Sequence, residues 1–107
     1  MELSVHKLKY KDAKSLSTEL YFAVACARVE GYELIKLELE NSELAQRYVS
    51  SASKLLKAMK RDGVIQLFLL ETELGEADKM EAVYLMNKFP ELQEIDTPSD
   101  AAFYVKL

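Results

Sequence analysis

Residues 32–70 read YELIKLELENSELAQRYVSSASKLLKAMKRDGVIQLFLL, and this stretch decides the fold class. Its first eight residues alternate between apolar and polar side chains, which is typical of a strand with one buried face. Residues 43–62 carry apolar side chains at helical spacing. Asn41 or Ser42 can cap the start of that helix, and Gly63 can end it in the left-handed conformation. Residues 64–70 are almost continuously apolar, as in a strand covered on both faces. The stretch therefore predicts a strand, a helix and a second strand in succession.

The alternation of strands and helices continues on both sides of this stretch. Residues 2–8 and 101–107 each alternate between apolar and polar side chains, so each predicts a half-buried strand. Residues 13–30 and 76–88 have helical spacing, and Asp12 can cap the first of these two helices. The order β-α-β-α-β-α-β indicates one α/β domain over residues 1–107. We predict a two-layer α/β sandwich with a four-stranded mixed sheet and helices mainly on one side.

The first predicted helix is apolar on more than one side. The residues that widen its apolar stripe are Tyr21, Phe22, Ala25, Cys26 and Val29. Such a helix is either deeply buried or half of an interface. Cys26 by itself is expected to be a small core residue. The side chains predicted to face the core from the third helix are Met80, Val83 and Tyr84, with Phe89 as a further candidate.

The composition excludes several classes of protein. The chain has 107 residues, a net charge of -4 and one cysteine. A single cysteine cannot form an internal disulfide, which excludes a secreted disulfide scaffold. No apolar run is long enough to span a bilayer, so we expect no membrane partner. The opening MELSVHKLKYK lacks the plan of a signal peptide, and we expect the protein to be cytoplasmic.

Basic side chains are concentrated in the first part of the chain. Residues 1–63 carry 11 basic and 9 acidic side chains, whereas residues 64–107 carry 3 and 9. One basic cluster, around the first strand-to-helix turn, contains Lys7, Lys9, Lys11 and Lys14. The other lies along one face of the second helix and contains Arg47, Lys54, Lys57 and Arg61. If the clusters are adjacent, they form a phosphate-binding surface; the alternative is a solvated helix face.

No pattern in the sequence nominates a catalytic centre. His6 is the one histidine and Cys26 the one cysteine, and together they cannot build a structural zinc site. The three glycines stand apart, so no phosphate-binding loop is present. We therefore expect no catalytic residue, no metal and no cofactor.

The sequence of residues 3–13, LSVHKLKYKDA, resembles the opening of the Smr (small MutS-related) domain. That family begins with a strand close to L-D-L-H-G, followed by an acidic, alanine-bearing helix start. The positions that keep the pattern are Leu3, Val5, His6, Leu8, Asp12 and Ala13. Later segments resemble bacterial Smr forms as well: SKLLKAMKRDGVIQLFLLE, LMNKFPELQEID and AAFYVKL. The resemblance covers most of the chain.

The chain departs from the Smr pattern at two places. Ser4 and Lys7 replace the aspartate and the glycine beside the histidine, and residues 39–42 (LENS) stand where the family has H-G-x-G. Backbone amides freed by such glycines would bind a phosphate, whereas Glu38 and Glu40 would repel one. Smr domains are associated with nucleic-acid binding and nicking. The resemblance thus implies a diverged domain that binds RNA or DNA weakly without cleaving it. Candidate contacts to phosphates are His6, Lys7, Lys9, Arg47, Lys54 and Lys57.

Other hypotheses remain open. The all-round apolar first helix favours a protein-interaction or self-association module, such as a homodimer or a complex with a protein partner. The tail LQEIDTPSDAA is compatible with a STAS (sulfate transporter and anti-sigma antagonist) domain, although the aspartate-serine-serine-glycine motif is absent. An active nuclease, in which His6 would be essential, is a third hypothesis.

Overall fold

The computed structural model describes residues 3–39, 42–76 and 78–107, with the side chains of the second helix described from residue 45 onward. Its helices and strands, in chain order, are β1 (Ser4–Leu8), α1 (Ala13–Glu30), β2 (Leu34–Leu39), α2 (Ser42–Arg61), β3 (Leu67–Leu70), α3 (Met80–Lys88) and β4 (Ala102–Lys106). Two 3₁₀ turns, Glu71–Gly75 and Pro90–Glu94, flank α3. The predicted α/β class and element order are confirmed.

The four strands form one mixed sheet in the order β1-β2-β4-β3. β1 and β2 are parallel, and β4 runs antiparallel to both of its neighbours, β2 and β3. All five residues of β4 are buried. The strand that comes latest in the sequence therefore lies in the middle of the sheet, whereas β1 and β3 form its edges.

Local signals set the ends of α1. Asp12 caps its start as predicted, because its carboxylate accepts a hydrogen bond from the Ser15 amide at 2.8 Å. Gly31 ends the helix with φ of 83°, and the Tyr32 amide donates to the Ala27 carbonyl at 3.0 Å. The cap predicted for α2, at Asn41 or Ser42, lies outside the described residues and side chains. Within the described ranges, no helix is both long and apolar enough to cross a bilayer.

Helices pack on both faces of the sheet, with the two long ones on the same side. α1 and α2 cover the face that carries Ile35, Leu37 and Phe103. The opposite face carries Leu34 and Tyr104, where the shorter α3 packs together with the two 3₁₀ turns. The predicted placement of helices mainly on one side thus describes α1 and α2, and α3 adds a small layer on the other face.

The inward face predicted for the third helix is wrong at Met80, Val83 and Tyr84 and is confirmed at Phe89. The helix begins at Met80 instead of residue 76, and Met80 is 82% exposed. Val83 and Tyr84 are exposed as well, and the core-facing residues are Ala82, Leu85 and, just after the helix, Phe89. The sequence pattern of LQEI, residues 92–95, suggests a short extended piece, but its first three residues belong to the Pro90–Glu94 turn. β3 begins at Leu67 instead of residue 64 and is therefore shorter than predicted.

Candidate functional site

His6 and Lys7, the two neighbouring candidates on β1, face opposite sides of the sheet. The strand register pairs His6 with Leu37 and Lys7 with Glu38, and paired residues of parallel strands share a face. His6 therefore points toward the helices, where it is half-buried and its Nε2 lies 2.9 Å from the Ser4 hydroxyl. Lys7 is exposed on the other face. The two residues do not form one site.

An aromatic contact joins the chain segments that carry Lys9 and Arg47. The Tyr10 and Tyr48 rings pack edge to face, with their centroids 5.0 Å apart. Lys9 precedes Tyr10 and Arg47 precedes Tyr48 in the sequence, and both basic side chains are exposed. Residues 40 and 41, part of the segment that replaces the H-G-x-G motif, lie outside the described residues.

Lys54 and Lys57 are exposed farther along α2. Ten residues separate Arg47 from Lys57, a distance of about 15 Å along the helix axis. Lys57 lines a groove of about 600 Å³ between α2 and the free edge of β3, here called the α2–β3 groove. The other charged and aromatic residues that line this groove are Lys60, Arg61, Phe68, Glu73, Lys79 and Glu81. The six predicted residues are thus spread over separate parts of the surface instead of forming one patch.

The outer side of α1 carries an apolar stripe, which we call the α1 stripe and define as Phe22, Ala25, Cys26 and Val29. Phe22 is 66% exposed and Val29 is 89% exposed. These positions fall within about 100° of one another around the helix axis. Cys26 is half-buried in this stripe, so the expectation that it is a core residue is wrong.

A groove of about 400 Å³ separates α1 from the edge strand β1. Along β1 it is lined by the four consecutive residues 5–8. Along α1 its lining residues are Glu19, Phe22, Ala23, Cys26 and Glu30. Side chains of consecutive strand residues alternate between the two faces of a sheet, so a groove touching all four follows the strand's backbone edge. We call it the α1–β1 groove.

A buried charged cluster on the α3 side of the sheet was not predicted. Glu71 is 2% exposed, and its carboxylate contacts the Lys36 ammonium at 2.9 Å. It also accepts hydrogen bonds from the Ser99 amide at 2.8 Å and the Tyr104 hydroxyl at 3.0 Å. Lys36 lies 3.4 Å from Glu38 as well. The alternation of β2 indicated that Lys36 and Glu38 share a face, but no spacing in the sequence pointed to Glu71.

Opposing effects set the ionisation of this cluster. Burial alone would raise the pKa of Glu71, but the hydrogen bonds from Lys36, Ser99 and Tyr104 outweigh it and lower the pKa. Burial likewise opposes the charge of Lys36, and the Glu71 carboxylate more than compensates, so the pKa of Lys36 is raised. Burial and the bond to Glu71 raise the pKa of Tyr104. The cluster is therefore an ion pair with a neutral phenol at physiological pH.

Metal-binding chemistry has no candidate in the part of the chain that the structure describes. No group of three or more histidine, cysteine, aspartate or glutamate side chains there could hold a metal ion.

Comparison with protein families, curated proteins and solved structures finds no match for this chain.

Proposed function

We propose that this chain is a non-catalytic protein-binding domain that contacts its partner through the α1 stripe. The observation that carries the proposal is the exposure of Phe22 and Val29 on the same side of a well-packed helix. The inner side of α1 is fully apolar and buried, with Leu16, Leu20 and Val24 in the core. The helix thus has enough core contacts without the stripe, which leaves the stripe available for another surface.

Covering the α1 stripe would contribute substantial binding free energy. Burying an exposed phenylalanine or valine side chain contributes about 1.5–3 kcal/mol. Tyr21, which is 45% exposed, lies beside the stripe. Aromatic side chains are enriched in protein interfaces relative to other surface. A partner that covers Tyr21, Phe22 and Val29 together would bury the largest apolar side chains exposed on α1.

The proposal treats the chain as a diverged Smr-like domain of the cytoplasm that has lost cleavage. The missing glycines of the H-G-x-G motif, at residues 39–42 (LENS), support the absence of catalysis. The Ser4 hydroxyl lies within hydrogen-bond distance of His6, the histidine of the Smr-like opening. The Tyr10 and Tyr48 rings pack against each other where β1 leads toward α1. A groove for a nucleic-acid backbone at that position would have to displace them.

Replacing the stripe tests this function. We expect the double variant Phe22→Ser/Val29→Ser to fold normally and to lose its protein partner, because both side chains are already exposed. The measurement is quantitative mass spectrometry of proteins co-purified with the tagged chain from its own cells. Met80→Ser/Val83→Ser, on the exposed side of α3, is the matched control. Equal recovery of every partner by wild type and the stripe variant would overturn the proposal.

A second candidate function is weak binding of nucleic acid along α2. The α2–β3 groove favours it, because Lys57, Lys60 and Arg61 line one groove together with Phe68. Cations of this kind contact phosphates, and an aromatic ring can stack on a base. Two carboxylates also line the groove, but Glu73 is paired with Lys79. This surface includes Lys57 from the predicted set, and Lys54 lies nearby on the same helix.

Salt dependence tests the second candidate. We expect fluorescence anisotropy with short RNA and DNA strands to show binding that weakens as salt increases, since each phosphate contact releases counterions. Lys57→Glu/Arg61→Glu should abolish it, whereas Lys88→Glu, on α3, should have a smaller effect. Absence of binding to single- and double-stranded RNA and DNA at low salt would exclude the candidate. Cleavage of an oligonucleotide by the wild-type protein that is lost in His6→Ala would instead support the hypothesis of an active nuclease.

A further inference from the structure

The α1–β1 groove lies along an unused hydrogen-bonding edge. In the described part of the chain, β1 pairs with β2 alone, so its other edge has backbone amide and carbonyl groups directed at the groove. An added strand could satisfy these groups, which is a common way for proteins to bind extended peptides. A lysine side chain often protects an edge of this kind. Lys7, however, faces the other side of the sheet beside Glu38.

The wall of the groove has an acidic side chain near each end. Glu19 and Glu30 both line the groove, and they are separated by about 16 Å along the axis of α1. Between them lie Phe22 and Cys26, which are one helical turn apart. The wall therefore presents the order acidic, apolar, apolar, acidic, with steps of about 4.5–6 Å along the helix axis.

An extended chain has a similar, slightly longer spacing. Alternate residues of a strand lie about 6.6 Å apart and point to the same side. A strand laid along β1 would thus place every second side chain against α1. Basic side chains would meet Glu19 and Glu30, and apolar side chains would meet Phe22 and Cys26. Because the order on the wall reads the same in both directions, a parallel and an antiparallel strand both fit.

We propose that the α1–β1 groove binds an extended segment of a partner protein with the pattern basic-x-apolar-x-apolar-x-basic, added to the sheet as a fifth strand along β1. The inference rests on the proposed protein-binding function and names the kind of partner. The occupant is a segment of another protein because the acidic wall calls for basic flanks, and a second copy packed through the same groove would bring its own Glu19 and Glu30 against this wall.

The test uses synthetic peptides and the whole chain. The fluorescent peptide Lys-Thr-Val-Thr-Val-Thr-Lys should bind, as measured by anisotropy. The peptide with glutamate at both ends should bind at least about tenfold more weakly, because it loses charge complementarity. The peptide with proline in place of the central threonine should also bind at least about tenfold more weakly, because it loses a strand hydrogen bond. Binding should slow the hydrogen exchange of β1 amides.

Variants of the groove complete the test. Glu19→Lys/Glu30→Lys should reverse the preference, so that the glutamate peptide binds better than the lysine peptide. Glu91→Lys/Glu94→Lys changes the net charge equally on an exposed turn and should leave the preference unchanged. Equal binding of all three peptides, or no protection of β1, would overturn the inference. So would concentration-dependent dimerisation that the lysine peptide does not reverse, because a second copy would then occupy the groove.

Failure of this inference is distinguishable from failure of the proposed function. Val29 belongs to the α1 stripe but does not line the groove. A cellular partner that is lost with Val29→Ser and kept with Glu19→Lys/Glu30→Lys would overturn the strand-addition proposal and retain the protein-binding function. A cellular partner that is also lost with Glu19→Lys/Glu30→Lys supports both the strand-addition proposal and the protein-binding function.

Discussion

Glu71 is the buried carboxylate on which the second face of the sheet depends. Its oxygens are shared among the Lys36 ammonium, the Ser99 amide and the Tyr104 hydroxyl. These partners come from β2, from the loop before β4 and from β4 itself. A single side chain therefore links three segments of the chain, and its removal would leave a partly buried ammonium without its closest counter-charge.

Substitution of the Glu71 carboxylate is expected to lower the stability of the fold. For Glu71→Gln we expect the free energy of unfolding at neutral pH to fall by roughly 3 kcal/mol, because breaking the buried ion pair leaves the Lys36 ammonium with only its longer contact to Glu38. Urea denaturation followed by circular dichroism measures the difference. The control is Glu91→Gln, at an exposed position in the Pro90–Glu94 turn, which should change stability little.

The same pair predicts how stability depends on pH. The pKa of Glu71 is lower in the folded protein than its ordinary value of 4.5. Its contribution is therefore complete above that value and is lost as pH falls through the folded-state pKa. The melting temperature of wild type should decrease below about pH 5 more steeply than that of Glu71→Gln. Identical slopes for the two proteins would contradict the assignment of this ion pair.

Glu71 also shows which single residues a sequence pattern can and cannot identify. The Asp12 cap was predictable because its partner, Ser15, lies three residues away on the same helix start. The partner of Lys36 lies 35 positions along the chain, and the contact exists only because β4 places Tyr104 between the two segments. Local rules contain no information about such a contact.

α3 is the element whose orientation the sequence leaves undetermined. Its residues offer two apolar sets at helical spacing. One set is Met80, Val83 and Tyr84, and the other is Ala82, Leu85 and Phe89. Both satisfy the periodicity of a helix with one buried face. In so short an element, the choice between them is made by the sheet, where Leu34, Leu69 and Tyr104 accept the second set.

Truncation of one residue from each set checks this orientation. Leu85→Ala should lower the free energy of unfolding by about 3 kcal/mol, because it leaves a cavity in a fully buried site. Met80→Ala, at the exposed position, should change it by less than about 0.5 kcal/mol. Thermal or chemical denaturation distinguishes the two, and comparable losses for both variants would indicate that α3 packs with its other side inward.

At the scale of the whole molecule, the element order was predictable and the arrangement of the candidate residues was not. Alternating strand and helix patterns, ended by Gly31 and Gly63, determine an α/β chain with a mixed sheet. The six basic and histidine candidates shared a region of sequence, but β1 sends His6 and Lys7 to opposite faces and the length of α2 separates Arg47 from Lys57. Proximity in the folded chain depends on these directions, which composition does not contain.

The central place of β4 also has a consequence for how this protein is made. On the ribosome, β2 and β3 are synthesised before the strand that joins them, and β3 has β4 as its strand neighbour. Until residue 106 leaves the exit tunnel, the nascent chain holds the β1–β2 pair and the lone strand β3, each with an unpaired edge where β4 will lie. Such edges are prone to intermolecular pairing. Slow translation of the segment between β3 and β4 would therefore prolong the period in which this domain most needs a chaperone.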